Sequence, residues 1–301
     1  MEETNKFEII IVGGSYAGLS AAMALGRSLR KVLVIDSGKP CNAQTPHSHN
    51  FLTQDGQAPG EIAAIAKGQV EKYDSVQFYD GLAVQGKKID EGFEIFTQRG
   101  DTFTAKRIIF ATGLKDIMPD IPGYSDCWGI SILHCPYCHG YEVRHQKTAI
   151  LANSEHANHY AELISHWTND LVILTNGKST LTSEQTQKIR SHGIDIIETE
   201  IQSLEHKKGK IQNVIFKDGS RVDITAIYSS PENVQHCNIP EQLGCEFAEE
   251  GLISVDMFQK TSVEGVYACG DNSGLRAVSI AVSSGSVAGI VANKDLISEG
   301  F

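Results

Sequence analysis

The chain has 301 residues, 41% hydrophobic and 21% charged, a composition typical of globular proteins with enough apolar material for about two domains. Its net charge of −11 comes without any block of Lys or Arg, which argues against nucleic-acid or anionic-membrane binding. No apolar run approaches the ~20 residues of a membrane span, and the acidic start lacks a cleavable signal pattern, so we expect a cytoplasmic protein.

The predicted elements begin with a βαβ unit. The run FEIIIV (7–12) is continuously apolar, as in a buried parallel strand. The glycine turn GGSYAG follows, then a stretch of helix formers, and then a second apolar strand at 31–36 that ends in Asp36. This order is typical of a nucleotide-binding unit.

The next region alternates weakly over 69–99, which indicates hairpin strands. A buried strand at 107–113 ends in the residues ATG. The closely spaced Pro119, Pro122 and Gly123 then predict a linker.

A second unit follows the linker. It contains a strand at 147–153, an amphipathic helix from Ser154, a strand at 171–176 and a helix at 182–192. Further strands are joined by a turn at Asp218-Gly219.

The chain then returns to the first unit. A break at 229–236 precedes the strand-and-turn segment GVYACGD and a helix of small residues at 281–296. We therefore predict an α/β fold with two Rossmann-like, three-layer ββα domains, the second inserted into the first. The outer domain comprises residues 1–117 and 236–301, and the inserted domain comprises residues 118–235.

The first glycine turn has the spacing of a dinucleotide site. The template G-x-G-x-x-G falls on Gly13, Ser15 and Gly18, and Asp36 lies at the end of the next strand, where a ribose hydroxyl is bound. Ser15 departs from the template, and the glycines alone could serve only a tight strand–helix turn. The helix start offers amide groups and a favourable dipole for a pyrophosphate.

The motifs VGGSYAG, KVLVID, ATG, CPYC and VYACGD, in this order, resemble those of the low-molecular-weight thioredoxin reductases, which are FAD-dependent pyridine-nucleotide disulfide oxidoreductases. The likeness covers nearly the whole chain. The segments CHGYE, LTNG and CNAQTPHSHNFLTQDG are most similar to the branch of dithiol oxidases of the gliotoxin and holomycin type. The resemblance implies FAD, a homodimer, and a CxxC motif in the inserted domain that faces the isoalloxazine.

The motifs and the resemblance together predict the residues that contact FAD. They are Gly13, Gly14, Ser15, Ala17, Gly18, Asp36, Ser37, Asn42, Ala111, Thr112, Gly113, Gly270 and Asp271.

Cys135 and Cys138 are the only close pair among seven cysteines, in HCPYCHGYE, and the scattered remainder is not a disulfide framework. Half a zinc site, a glutaredoxin-like motif and two structural cysteines are alternatives. Zinc needs four ligands and no second CxxC exists, so we predict no metal. A redox pair explains the two-residue spacing and the adjacent His139, which can take and return a thiol proton.

The resemblance implies separate roles for the two thiols. Cys138 would lie nearest the flavin and form the charge-transfer thiolate, and Cys135 would meet the substrate. His134 is a weaker candidate for acid–base work than His139. His47 and His49 could either line the pocket or lie in solvent.

The second nucleotide fingerprint has lost its glycines, since its positions read Ala152, Ser154 and Ala157. Asn176 and Lys178 stand where relatives carry arginines for the 2′-phosphate. Without glycine the backbone approaches a pyrophosphate less closely, which leaves NADPH use open.

The direction of electron flow therefore also stays open. As a reductase, the protein would pass electrons from NADPH to a thioredoxin-like protein or a small disulfide. As an oxidase, it would take them from a small dithiol and give them to oxygen. Another donor such as ferredoxin, or a non-enzymatic flavin redox sensor, are the remaining alternatives.

Overall fold

The computed structural model describes residues 5–301, which form two compact units. The first unit contains the chain up to Ala43 together with Phe51–Lys115 and Asn233–Phe301, and the second contains Gln44–Asn50 and Asp116–Glu232. The short segment Gln44–Asn50 thus groups with the unit that carries the dithiol, although the sequence-based division placed it in the other domain. Within residues 5–301, no helix combines the length and the apolar character that a membrane crossing requires.

The elements are numbered in chain order. The first stretch contains β1 (Lys6–Val12), α1 (Tyr16–Arg27), β2 (Val32–Asp36), α2 (Pro59–Val70), β3 (Val76–Asp80), β4 (Ala83–Ile89), β5 (Gly92–Thr97), β6 (Thr102–Phe110) and β7 (Leu114–Asp116). The second unit contains α3 (Tyr124–Cys127), β8 (Ile132–Leu133), α4 (Pro136–His139), β9 (Thr148–Leu151), α5 (Ser154–Ile164), β10 (Leu171–Leu174), α6 (Ser183–Ser191), β11 (Asp195–Ile197), β12 (Ile201–Lys207), β13 (Lys210–Phe216), β14 (Arg221–Asp223) and β15 (Ala226–Ser229). The return stretch contains β16 (Asn233–Gln235), α7 (Ile239–Gln242), β17 (Val266–Ala268) and α8 (Val278–Gly300).

In the first unit, β3, β2, β1, β6 and β17 form a parallel sheet. The long strand β6 serves two layers, because its first half pairs antiparallel with β5 and its second half pairs parallel with β17. The antiparallel β4–β5 hairpin continues from this first half. The result is a parallel sheet with an antiparallel layer on one side.

Strand β1 shows how sequence sets the two faces of this sheet. Ile9 and Ile11 pack among helical residues, whereas Ile10 and Val12 pack among residues of the antiparallel layer. Because side chains alternate along a strand, a strand buried on both faces must be continuously apolar, as FEIIIV is. Helices α1 and α8 pack closely on the helical side, where a Cβ at Gly285 would lie 2.1 Å from the Ala17 carbonyl oxygen.

The second unit repeats this arrangement. Its parallel sheet has the order β11-β10-β9-β15-β8, and β12, β13 and β14 form a separate antiparallel sheet. Apolar residues of α5 and α6 cover one face of the parallel sheet, and the antiparallel sheet shares a core with its other face. Both units therefore confirm the predicted fold class of Rossmann-like, three-layer α/β domains.

The sequence-based strands and helices agree with these elements with one clear omission. Helix α2 was not predicted, and residues before the hairpin form β3, which pairs parallel with β2. Two glycines in α2 weaken its helical pattern, and Pro59 at its first position supplies the start.

Candidate active site

The predicted FAD contacts meet at one edge of the first unit's sheet. Strands β1, β2, β6 and β17 run parallel, so their carboxyl ends lie side by side. Each strand leads directly into one of the predicted segments. These segments are Gly13–Gly18, Asp36-Ser37, Ala111–Gly113 and Gly270-Asp271.

The glycine turn after β1 leaves no room for side chains at its two outer positions. Gly13 has φ +106°, and a Cβ there would lie 2.2 Å from the Ala111 carbonyl oxygen. A Cβ at Gly18 would lie 1.9 Å from the Gly13 carbonyl oxygen. Ser15, the N-cap of α1, makes no side-chain capping bond. The first turn of α1 therefore presents backbone amide groups, as a pyrophosphate site requires.

Asp36 is fixed at the end of β2 by this same turn. The Gly14 amide donates a hydrogen bond of 3.1 Å to its Oδ1 atom. The carboxylate therefore lies beside the pyrophosphate turn, in the position that binds a ribose hydroxyl. The next residue, Ser37, is exposed.

The remaining predicted contacts lie near α1 and the turn after β17. Asn42 Nδ2 donates to the Tyr16 hydroxyl at 3.4 Å. Asp271 Oδ2 lies 3.9 Å from Cys41 Sγ and 3.8 Å from Arg276 Nε.

Asn272 is a residue of this site that the sequence reasoning missed. Its side chain is fully buried, and Nδ2 donates to the Phe110 carbonyl at 3.0 Å and to Thr112 Oγ1 at 3.2 Å. Its Oδ1 atom is buried without a hydrogen-bond partner among the described residues. A buried acceptor of this kind is costly unless it is satisfied, so it indicates a polar group of a ligand at this edge. The sequence signal that could have identified Asn272 was its position directly after Asp271, a predicted FAD contact.

The first unit therefore fits FAD. It has a glycine turn with no room for a Cβ at Gly13 or Gly18, the carboxylates of Asp36 and Asp271 near strand ends, and the buried Asn272 Oδ1 atom without a partner among the described residues. When bound, FAD supplies two-electron exchange with thiols.

The dithiol lies at the carboxyl end of β8 in the second unit. Cys135 is the N-cap of the short helix α4, and Pro136 occupies the first helical position. Strand β8 pairs with β15, and β15 pairs with β9, so the dithiol is carried by the edge of the parallel sheet. Both cysteines are in the reduced form and half-buried.

The surroundings of Cys135 make its thiol more acidic than an ordinary cysteine. A hydrogen bond from the Cys138 thiol, opposed by burial and aided by the backbone amides of Cys138 and Tyr137, lowers the pKa of Cys135 to about 6. Cys135 is therefore mostly thiolate at neutral pH. The thiolate is the form that attacks a disulfide.

His139 follows Cys138 and ends the short helix. Burial and the nearby His49 lower the pKa of His139, and the Glu142 carboxylate opposes this shift. An uncharged imidazole beside the dithiol can accept a thiol proton. The three residues predicted as catalytic thus lie on the single turn of α4 and its N-cap.

Tyr228 was not identified from the sequence. It lies on β15 opposite Leu133 of β8, is fully buried, and its hydroxyl has no hydrogen-bond partner among residues 5–301. Burial and the negative charges of Cys135, Glu142 and Cys138 raise the pKa of Tyr228, so it stays protonated. A tyrosine within an apolar strand carries no sequence signal for such a position.

The second unit's turn after β9 is organised by Asn153. Its Oδ1 accepts hydrogen bonds from the Ser154 amide at 2.9 Å and from the Thr180 amide at 2.8 Å, while its Nδ2 donates to the Lys178 carbonyl at 3.0 Å. The start of α5 is thus capped by the protein itself. Ser154 adopts φ +57°, which is the left-handed region.

Asn176 and Lys178, which stand where relatives carry arginines for the 2′-phosphate, differ in their contacts. Asn176 Oδ1 accepts a 2.7 Å hydrogen bond from the Ile201 amide, so its side chain is used within the fold. Lys178 is exposed.

Comparison with known proteins matches residues 7–285 to the family described as pyridine nucleotide-disulphide oxidoreductase. The chain is 35% identical to thioredoxin reductase tcpT of Claviceps purpurea, over 99% of this chain and 97% of that protein. It is 30% identical to thioredoxin reductase aclD of Aspergillus oryzae, over 94% of both chains.

Two solved structures have the same fold over almost the whole chain. The putative thioredoxin reductase TrxB from Bacillus anthracis has a TM-score of 0.93 and 33% identity, covering 98% of this chain and 100% of that chain. HlmI has a TM-score of 0.94 and 32% identity, covering 100% of this chain and 95% of that chain. Enzymes of this type depend on FAD, and NADPH is their usual partner. The chain belongs to the pyridine nucleotide-disulphide oxidoreductase family, as an FAD-dependent enzyme of the thioredoxin reductase type.

Proposed function

We propose that Cys135 and Cys138 exchange electrons between FAD and a substrate dithiol or disulfide, with Cys135 as the thiol that meets the substrate and His139 as the base. The observation that carries the proposal is the placement of both thiols on the one turn of α4, with Cys135 at its N-cap and the Cys138 thiol hydrogen-bonded to it. Such a pair has an attacking and a resolving sulfur at one place.

The exchange with substrate balances as follows. A substrate thiol loses its proton to His139 and attacks Cys135 Sγ of the disulfide, and Cys138 leaves as a thiolate. The second substrate thiol then attacks the mixed disulfide and its proton passes to the departing Cys135 sulfur, so Cys135 is released as a thiol and the substrate disulfide forms. Two electrons and two protons leave the substrate. Reduction of a substrate disulfide is the reverse of these steps.

The reductive direction has NADPH as electron donor and a thioredoxin-like protein or small disulfide as acceptor. This direction is supported by the family, in which NADPH is the usual partner. The opposite direction, oxidation of a small dithiol, is favoured by the turn at Asn153, whose side chain already uses the Ser154 and Thr180 amides. Oxygen then takes two electrons and two protons and becomes hydrogen peroxide.

Anaerobic mixing of the FAD-loaded protein with NADPH, NADH or dithiothreitol tests these proposals. Bleaching of the flavin band by NADPH supports the reductase. Bleaching by dithiothreitol alone, with recovery and peroxide formation in air, supports the oxidase. Cys135→Ser should abolish the reaction with dithiol, whereas Cys237→Ser, in the other unit, should retain it. Full dithiol activity in Cys135→Ser contradicts the assigned role.

We also propose a cytoplasmic homodimer. The support is the family, whose members often form dimers. Light scattering on the purified FAD-loaded protein should give twice the chain mass of 32.8 kDa. A monomer at micromolar concentration would contradict this proposal.

A further inference from the structure

The segment Gln44–Asn50 carries His49 to His139 and Glu142. Gln44 Nε2 donates to the Ser125 carbonyl at 3.2 Å. Thr45 packs against Gly129 so closely that a Cβ on Gly129 would lie 2.9 Å from Thr45 Oγ1. The segment is therefore fastened to the second unit at its start. His49 is distant from His139 in sequence, so their contact results from tertiary structure.

His49 contacts both His139 and Glu142. The rings of His49 and His139 meet edge to face, with centroids 6.2 Å apart and planes at 89°. His49 Nε2 lies 3.7 Å from Glu142 Oε1. The His49 side chain is 19% exposed and that of Glu142 is 40% exposed, so this contact is only partly screened by water.

His49 and Glu142 have opposite electrostatic effects on His139. A positive charge on His49 disfavours a second positive charge on His139, whereas the Glu142 carboxylate favours one. Other titratable groups lie around this pair: the His47 ring is 6.5 Å from the His49 ring, the two thiols share the turn that His139 ends, and the Tyr228 hydroxyl interacts with both thiols and with Glu142. Cys135 also accepts the His139 amide at its carbonyl oxygen, at 3.2 Å.

We propose that His49 is a positioning residue of the redox centre: with Glu142 it orients the His139 ring and sets its protonation, so that His139 is uncharged when a substrate thiol arrives. This inference rests on the proposed function, in which His139 takes the first substrate proton. Edge-to-face contact fixes the plane of the His139 ring, and the effects of His49 and Glu142 on its affinity for a proton oppose each other.

The test compares His49→Phe with Glu142→Gln. Phenylalanine keeps an aromatic ring against His139 but removes the charge and the contact with Glu142. Glutamine keeps the size of Glu142 and removes its charge. We expect the titration midpoint of His139 to move to higher pH in His49→Phe and to lower pH in Glu142→Gln. The measurement is NMR of the FAD-loaded protein with labelled histidine ring carbons.

Two matched controls carry the same changes elsewhere in the second unit. His192→Phe changes an exposed histidine after α6, and Glu200→Gln changes a carboxylate that pairs with Lys217. Neither should move the His139 midpoint. Should His49→Phe fail to fold, His49→Gln removes the charge with a smaller change in shape, and the same upward shift is expected.

The rate of dithiol oxidation gives the second readout. In the oxidised enzyme both cysteines are in the disulfide, so loss of rate at low pH reports a base such as His139. This acid limb should move up in His49→Phe and down in Glu142→Gln. Equal shifts in the two variants, or shifts no larger than in the controls, would overturn the proposal. A wild-type protein that reacts with no dithiol would refute the proposed function, while the NMR titration would still report on His49.

Discussion

The two units have the same layers but different turns after the strands β1 and β9. In the first unit, Gly13 and Gly18 are positions where a Cβ would lie about 2 Å from a backbone oxygen. In the second unit, Ser154 holds a left-handed conformation and Asn153 caps the helix start with its own side chain. The first turn has no side-chain cap at Ser15, whereas the second turn ties the Ser154 amide to the Asn153 side chain.

This difference shows that the fold and the binding of a pyrophosphate place different requirements on the turn. A parallel sheet with a covering helix needs only a turn that starts the helix, and an asparagine cap does this as well as glycine. Close approach of a pyrophosphate needs the absence of side chains. The second unit thus keeps its layers after losing its glycines, and its chemical groups lie instead at the end of β8.

The largest expected difference between the units is in thiol reactivity. Burial raises the pKa of Cys237 in the first unit to about 11, whereas the pKa of Cys135 in the second is about 6. At pH 7 we expect iodoacetamide to modify Cys135 at least about 100-fold faster than Cys237, because only the thiolate reacts. Mass spectrometry of peptides from the FAD-loaded, reduced protein measures both rates.

The pH profile sharpens this prediction. The rate at Cys135 should rise through pH 6 and then level off, whereas that at Cys237 should rise throughout the neutral range. Cys138→Ala removes the thiol whose hydrogen bond is the main cause of the low Cys135 pKa, so the midpoint should move to higher pH. A Cys135 midpoint at the ordinary thiol pKa in the unaltered protein would contradict the assignment of a preformed thiolate.

The next largest effect is expected for Gly13→Ala. Alanine at φ +106° with its Cβ 2.2 Å from the Ala111 oxygen forces the turn to move. A strained residue costs on the order of 1–3 kcal/mol, so we expect FAD affinity to fall by roughly 100-fold. Flavin absorbance per protein after gel filtration measures this. Gly68→Ala, where a Cβ meets nothing within 4 Å, is the control and should retain FAD.

The layered fold could be predicted because its signals are local. Both units were predicted from continuous apolar strands and amphipathic helices. A strand that is buried on two faces requires a continuous apolar run, and a helix on the surface of a sheet requires one apolar side. Helix α2 was missed because its glycines weaken the pattern, and the grouping of Gln44–Asn50 with the second unit depends on contacts distant in sequence, such as Gln44 with Ser125.

The residues of the candidate site likewise divide into those with a local sequence signal and those that depend on tertiary structure. The glycine turn, Asp36 and CPYC have spacings that express their chemistry, so sequence was enough to find them. Tyr228 and Asn272 matter because they are buried with unsatisfied polar atoms, a property that exists only in the folded protein. The contact of His49 with His139 likewise needs tertiary structure.

A smaller effect is expected when the second unit's cap is removed. Asn153→Ala deletes the N-cap of α5 and its bonds to Thr180 and Lys178. We expect the free energy of unfolding to fall by about 1–2 kcal/mol, the upper range for a lost cap. Urea denaturation measures it. Asn158→Ala, on the same helix, should cost less, and an equal cost would show that the cap is unimportant.

The smallest effect is expected for Ser154→Gly. The sign of its change in unfolding free energy tests most directly whether the turn after β9 is held by Asn153. At φ +57° a serine carries a left-handed strain of about 1–2 kcal/mol, whereas glycine has none but loses about 1 kcal/mol in backbone entropy. The net change in unfolding free energy should be a gain of up to about 1 kcal/mol. Ser183→Gly, at the first position of α6 with ordinary φ, should instead lose stability. A loss in both would mean that Ser154 contributes bonds that outweigh its strain, and that this turn is held by more than Asn153.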